Sequence, residues 1–221
     1  MYTPKTFVLD SNVESKQILA DILAETTYFM NRLSPSSKVT LTPTPGADVI
    51  HITSDNRHAH ASGYHIFVNG VPTGYVVPEV SIYGHYSPAL HVPDVHVKGV
   101  LIPAHEVHSE RFTSGLITTV CHEMAEMLAD GNIATYTRPD FKGHKWLLEP
   151  CDWVFQEYFQ VLVGKNMCIF PNVALDAFTD LTNKTGPYDL MGKVLEPFQR
   201  SPKGYAYFLD PITGKLMPVT Y

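Results

Sequence analysis

The sequence is short of several things, and each shortage closes off a class of explanation. Cysteine occurs only at Cys121, Cys151 and Cys168. An odd number with no Cys-x-x-Cys pair argues against a disulfide framework and reads as reduced, mostly buried thiols. Charged side chains make up 17% of the chain, and the net charge is −6 with no basic cluster. That leaves no electrostatic footprint for nucleic acid as a partner. No run approaches the roughly 18 apolar residues that a membrane span requires. The opening Met-Tyr-Thr-Pro-Lys-Thr lacks a basic stretch followed by an apolar one, so no secretory signal is read there. Internal repeats and low-complexity linkers are also missing.

What is present suits a globular fold. The chain has 221 residues, 44% of them hydrophobic, enough for one domain with a sizeable core. Proline, tyrosine and histidine are unusually abundant, at 17, 12 and 11 residues, and nine of the histidines precede residue 109. His58-Ala59-His60 is their tightest pair. They are spread too widely for ligand spacing and read as surface or hydrogen-bonded loop residues.

Periodicity predicts a strand at Thr6–Leu9. A capping box, Ser11-x-x-Glu14, then opens a helix to about Leu33 with Ile18, Leu19, Ile22, Leu23, Phe29, Met30 and Leu33 on its buried stripe. Strands are expected at Val39–Thr42 and Val49–Ile52, separated by a Pro-Gly turn. His65–Val68 and Gly74–Val77 form a hairpin about Asn69-Gly70. The Pro-, Tyr- and His-rich region from 78 to 103 carries strands near Val80–Tyr83 and Val95–Ile102. Downstream, hairpins are expected at Phe155–Val163 with Met167–Phe170, and at Tyr205–Leu209 with Lys215–Thr220. The expected architecture is α+β in a single domain, 1–221. It divides into an N-terminal strand and helix (1–47), strands and Pro/Tyr/His-rich loops (48–110), and a second helix with C-terminal hairpins (111–221).

That second helix, from about Ser114 to Asp130 with Gly131 suited to the position just past its end, carries the chemistry. Val120, Cys121, Met124, Met127 and Leu128 fill one side of it, and His122, Glu123, Glu126 and Asp130 form a polar face. His122 and Glu126 are four residues apart and stand one above the other. This is the His-Glu-x-x-His arrangement of zinc peptidases with Glu in place of the second His. There the two residues four apart bind Zn2+ and the Glu after the first His is the general base. Imidazole and carboxylate are both ordinary zinc ligands, so His122 and Glu126 are candidate ligands and Glu123 the candidate base. Asp130, beside Gly131, reads as a helix-end residue. The competing reading of this stretch is a surface helix with a solvated acidic stripe and an incidental His.

With its flanks, the helix resembles a scattered group of uncharacterised phage and bacterial metallopeptidase-like proteins. Their pattern, Ser-His-Glu-x-x-Glu-Met-Leu-x-Asp-Pro followed 20–30 residues later by Glu-x-x-Asp, is matched here by Cys121–Asp130 and by Glu149-Pro150-Cys151-Asp152. Gly63-Tyr64-His65, Asn166–Asn172 and the stretches Pro197-Phe198 and Gly204-Tyr205 also resemble the group. Cys121 and Gly131 depart from its Ser and Pro. The resemblance implies a zincin-like fold, an active-site helix packed on a small mixed or antiparallel sheet, with a third zinc ligand supplied by Glu149 or Asp152. Reach favours Glu149: its side chain is longer, and Pro150 favours an extended backbone before it. Asp152 would then orient His122 through the other ring nitrogen.

The function expected is a zinc-dependent hydrolase, a metallopeptidase acting on a peptide or protein substrate, in which Glu123 takes a proton from the attacking water. His65, Tyr136 and His144 are candidates for steadying an oxyanion, on residue type. The alternative is a structural or assembly protein, such as a phage virion component, that keeps the fold with a stabilising or vestigial metal. In that case residues 78–103 and the Asp210–Gly214 hairpin would be contact surfaces within a larger assembly. The location expected is cytoplasmic or virion-associated.

Overall fold

A computed structural model describes the chain apart from residues 1, 3, 13–15, 55–61, 78–88, 93–94, 98–99, 103–104, 109–113, 131–134, 165 and 221. The first strand, β1 (Thr6–Ser11), is followed by helix α1 (Lys16–Leu33) and strand β2 (Lys38–Thr40). β1 and β2 run parallel, because a strand that returns by way of a helix lies beside the first in the same direction. β3 (Asp48–Ile52) joins the opposite side of β1, also parallel. β4 (Gly63–Val68) and β5 (Val71–Val76) form the expected hairpin. Its two-residue turn, Asn69-Gly70, has φ of 51° and 80°, the left-handed pair that tight hairpins select. β5 lies parallel to β3, so the sheet order is β2-β1-β3-β5-β4 with β4 as its antiparallel edge.

The fold is therefore α+β, but this sheet is mixed and mainly parallel, and β2 and β3, neighbours in sequence, are separated by β1. Ser11 ends β1 opposite Ile52, and α1 is described from Lys16. Glu14, the other half of the expected capping box, lies outside the described residues, as do Gly131, His58, His60 and the strand expected near Val80–Tyr83. Further on, β6 (Ala89–Val92) pairs with β9 (His105–His108), and β7 (Val95–Val97) with β8 (Val100–Ile102).

Helix α2 (Ser114–Ala129) packs against β4, β5, α1 and a later strand, β13 (Asn166–Pro171). Its Ile-Thr-Thr-Val stretch has weak helix propensity, so tertiary burial has to hold it. Ile117, Val120, Cys121, Met124, Ala125 and Met127 are wholly buried, in one cluster with Phe7, Ile50, Ile52 and Val76 of the sheet. Side chains of this size contribute about 1.5–3 kcal/mol each when buried. Two polar ties fix the helix along its axis. Thr118 Oγ1 donates to Ile169 O at 2.6 Å. Lys5 Nζ, paired with Asp48, donates to Met127 O at 2.8 Å, satisfying a carbonyl that the last turn leaves open.

The remaining chain builds a second cluster. β10 (Tyr136–Pro139), β11 (Lys145–Leu147), β14 (Tyr207–Leu209) and β15 (Leu216–Pro218) form a four-stranded sheet. Trp146, Trp153, Phe178 and Phe198 interlock beside it. The expected hairpin, β12 (Tyr158–Val163) with β13 (Asn166–Pro171), covers α2 and turns at Gly164. All three cysteines are free and buried. Among the described residues no helix is long and apolar enough to cross a membrane.

Candidate metal centre

The polar face of α2 points inward. Glu123, Glu126 and Asp130 are 4%, 3% and 0% exposed, which removes the reading of α2 as a surface helix with a solvated acidic stripe. Charge is buried in this way only when something compensates it.

His122 meets carboxylates on both sides of one nitrogen. Its Nε2 lies 3.2 Å from Glu126 Oε1 and 3.4 Å from Asp152 Oδ1. Two ligand atoms sharing one tetrahedral zinc are separated by roughly 3.3 Å, given metal–ligand bonds near 2.0–2.1 Å. The approach to Glu126 is not aligned as a hydrogen bond, because Oε1 is buried with no hydrogen-bond partner. An orphaned carboxylate oxygen beside an imidazole nitrogen, with a second carboxylate facing that nitrogen, is a donor set that fits Zn2+. Burial alone would depress the His122 imidazole, but the Glu126 charge beside it outweighs that and holds its pKa well above the usual value.

Asp152 is placed by a tight turn. Glu149 O accepts from the amides of Asp152 and Trp153, and Asp152 opens a short 3₁₀ helix, Asp152–Val154. Tyr205 then grips Asp152 twice: its amide donates to Asp152 O at 2.9 Å and its phenol to Asp152 Oδ1 at 2.6 Å. Gly204 permits this approach, since a Cβ there would lie 2.0 Å from Trp153 O. Tyr205 is the site residue that sequence reasoning missed. In the sequence Tyr205 stands as the start of an expected strand, within a segment that carries the resemblance.

Glu149 and Asp152 both come to the site, on different partners. The reach argument put Glu149 at the metal and Asp152 behind the other nitrogen of His122. The turn instead sets Asp152 against Nε2, while Glu149 Oε1 lies 3.9 Å from His65 Nε2. Burial, reinforced by the Glu126 charge, holds the Glu149 carboxyl well above its ordinary pKa.

His65, on the edge strand β4, completes the cluster. Its Nδ1 lies 3.1 Å from Glu123 Oε2 and 3.9 Å from Glu126 Oε2. Burial would lower its pKa, but the hydrogen bond and charge of Glu123 raise it instead. Of the oxyanion candidates only His65 joins this cluster. His144 stacks on Phe208 of the second sheet at 4.0 Å, and Tyr136 pairs with Leu147 within that sheet. Asp130 accepts from the Thr135 amide at 3.1 Å, the helix-end role expected of it. Cys151 lies close to His122 and Glu126, but its thiol donates to His122 O and burial pushes its pKa well up.

Gly63 gives Glu123 its room. A Cβ at Gly63 would lie 2.4 Å from Glu123 Oε1 and 2.8 Å from Thr119 Cγ2. Gly63→Ala is therefore expected to push the Glu123 carboxylate aside while leaving His122 and Asp152 in place. Stability should fall by about 1–3 kcal/mol with zinc content unchanged, as thermal unfolding and metal analysis would read. Loss of zinc in that variant would mean that the His122 set depends on the position of Glu123.

No protein-family model, curated protein or solved structure matches this chain.

Proposed function

We propose that this chain is a zinc-dependent hydrolase with a zincin-like fold, acting on peptide or protein substrates. The observation that carries the reading is the pair of carboxylates flanking His122 Nε2, with the buried Glu123 held beside them by His65. His122, Glu126 and Asp152 would hold the zinc. A zinc bound there supplies Lewis-acid polarisation of a scissile carbonyl and makes adjacent water more acidic. Glu123 accepts the proton of the attacking water and passes it to the leaving group. His65 holds the Glu123 carboxylate in position, and Tyr205 fixes Asp152.

Access and shape support a substrate as large as a peptide. The side chains of His122 and Asp152 are 20% and 17% exposed, so the cluster opens to solvent on this side. His65 comes from β4, the end strand of its sheet, and an extended peptide can add to such an edge through main-chain hydrogen bonds.

A second reading, a structural or assembly component with a stabilising or vestigial metal, draws on one observation. The C-terminal hairpin exposes Leu209, Ile212, Leu216 and Met217 together, Ile212 at 92%, and exposed apolar surface of this kind suits contact within a larger assembly.

Metal analysis tests the premise common to both. The purified protein is expected to carry about one zinc per chain, His122→Ala markedly less, and chelation should lower the melting temperature of the wild type only. Equal metal in both proteins would remove the basis of the proposal.

A further inference from the structure

The His122 set uses only part of what the cluster gathers. Glu123, Glu126, Glu149 and Asp152 bring four carboxylates, and His65 and His122 bring two imidazoles. Glu123 and Glu126 are both more than nine-tenths buried. Charge left uncompensated at such a depth is costly.

The geometry divides these donors into two groups that meet at Glu126. Glu126 Oε1 faces His122 Nε2 at 3.2 Å and has no hydrogen-bond partner, while Oε2 faces His65 Nδ1 at 3.9 Å. A carboxylate with its two oxygens turned toward two different imidazoles is disposed to bridge two cations, as in two-metal sites. Donor atoms of His65, Glu123 and Glu126 all lie within 4.8 Å of one another, and they are of the oxygen and nitrogen types that zinc accepts. The far side of His65 is also prepared. Its Nε2 lies 3.9 Å from Glu149 Oε1, and Glu149 Oε2 is buried without a partner. Metal-binding histidines usually direct their second ring nitrogen at such a carboxylate.

We propose that a second divalent cation binds on His65, Glu123 and Glu126, sharing Glu126 with the first, and takes Glu123 out of use as a base. The inference rests on the zinc-hydrolase reading for its functional consequence. Glu123 cannot hold a cation and accept a proton at the same oxygen, so filling the second position suppresses hydrolysis. It binds more weakly than the first, because the cation must displace the hydrogen bond between His65 and Glu123 and has only a share of Glu126. Low free zinc thus leaves the active one-zinc protein, and excess zinc converts it to an inactive two-zinc protein.

The test is stoichiometry. Protein stripped by chelator is titrated with Zn2+ and followed by calorimetry and native mass spectrometry. Wild type should take up two ions in separate steps, and peptide hydrolysis should fall as the second step fills. His65→Ala should retain the first step and weaken the second by at least about 100-fold. His65→Gln, closer in volume, serves if the Ala variant lacks the wild-type circular dichroism spectrum. A single step in wild type at large zinc excess overturns the proposal while leaving the one-zinc hydrolase intact. Two unchanged steps in the His65 variant also overturn it. No zinc uptake at all overturns it together with the reading on which it rests.

Discussion

Replacing Glu123 by Gln should leave zinc bound and lower peptide hydrolysis by about 10²–10⁴-fold, the usual contribution of a positioned general base. The swap changes one oxygen to an amide in a side chain that is 4% exposed, so volume and packing stay almost constant. His65 Nδ1, now 3.1 Å from Glu123 Oε2, can still meet the amide oxygen. What disappears is the ability to take up a proton. A drop in hydrolysis with unchanged metal content and melting temperature is the expected signature. Full activity in Glu123→Gln would refute the assigned base. A wild type inactive on a broad peptide library, yet carrying zinc, would favour the assembly reading.

Much of the local structure was legible because local chemistry decides it. Asn69-Gly70 supplies both left-handed residues of a two-residue turn, so that hairpin is a property of its own few residues. The apolar spacing in α1 and the alternation around Gly164 worked for the same reason. The sheet order was not legible. β1 sits between β2 and β3, and nothing in the periodicity of three short strands says which edge of β1 each one takes.

At the site, spacing along one helix located His122, Glu123 and Glu126, because residues four apart must share a face. It could not tell that this face is buried, since polar residues on a helix look alike whether they meet water or each other. His65 was one histidine among 11 in the chain. The sequence sets it apart by residue type and by the Gly63-Tyr64-His65 segment, and the approach of β4 to α2, with Gly63 lying under Glu123, brings it to the cluster. Tyr205 is 53 residues from Asp152, and no local rule connects the two.

The third ligand is where chain geometry and side-chain reach disagree, and Asp152→Ala should cost far more zinc affinity than Glu149→Gln. Reach favoured the longer side chain on the assumption that the loop stands off from α2. It does not stand off: the turn after Glu149 returns through Asp152, and the Tyr205 phenol and amide press that residue toward His122. Asp152 Oδ1 accordingly lies 3.4 Å from the Nε2 that Glu126 also faces. Glu149 is turned toward His65 and Glu126, a supporting position, where substitutions typically lower affinity about 10–100-fold. Asp152→Ala would remove a proposed ligand outright, and its loss should exceed that range. Tyr205→Phe separates the ligand from its support, because it deletes the 2.6 Å hydrogen bond and keeps the carboxylate. Its effect should stay within the range expected for Glu149→Gln. Competition against a chromophoric zinc chelator, with melting temperatures measured alongside, gives the three affinities on one scale. If Glu149→Gln proves the most damaging of the three, Glu149 is the ligand and the turn must rearrange when zinc binds.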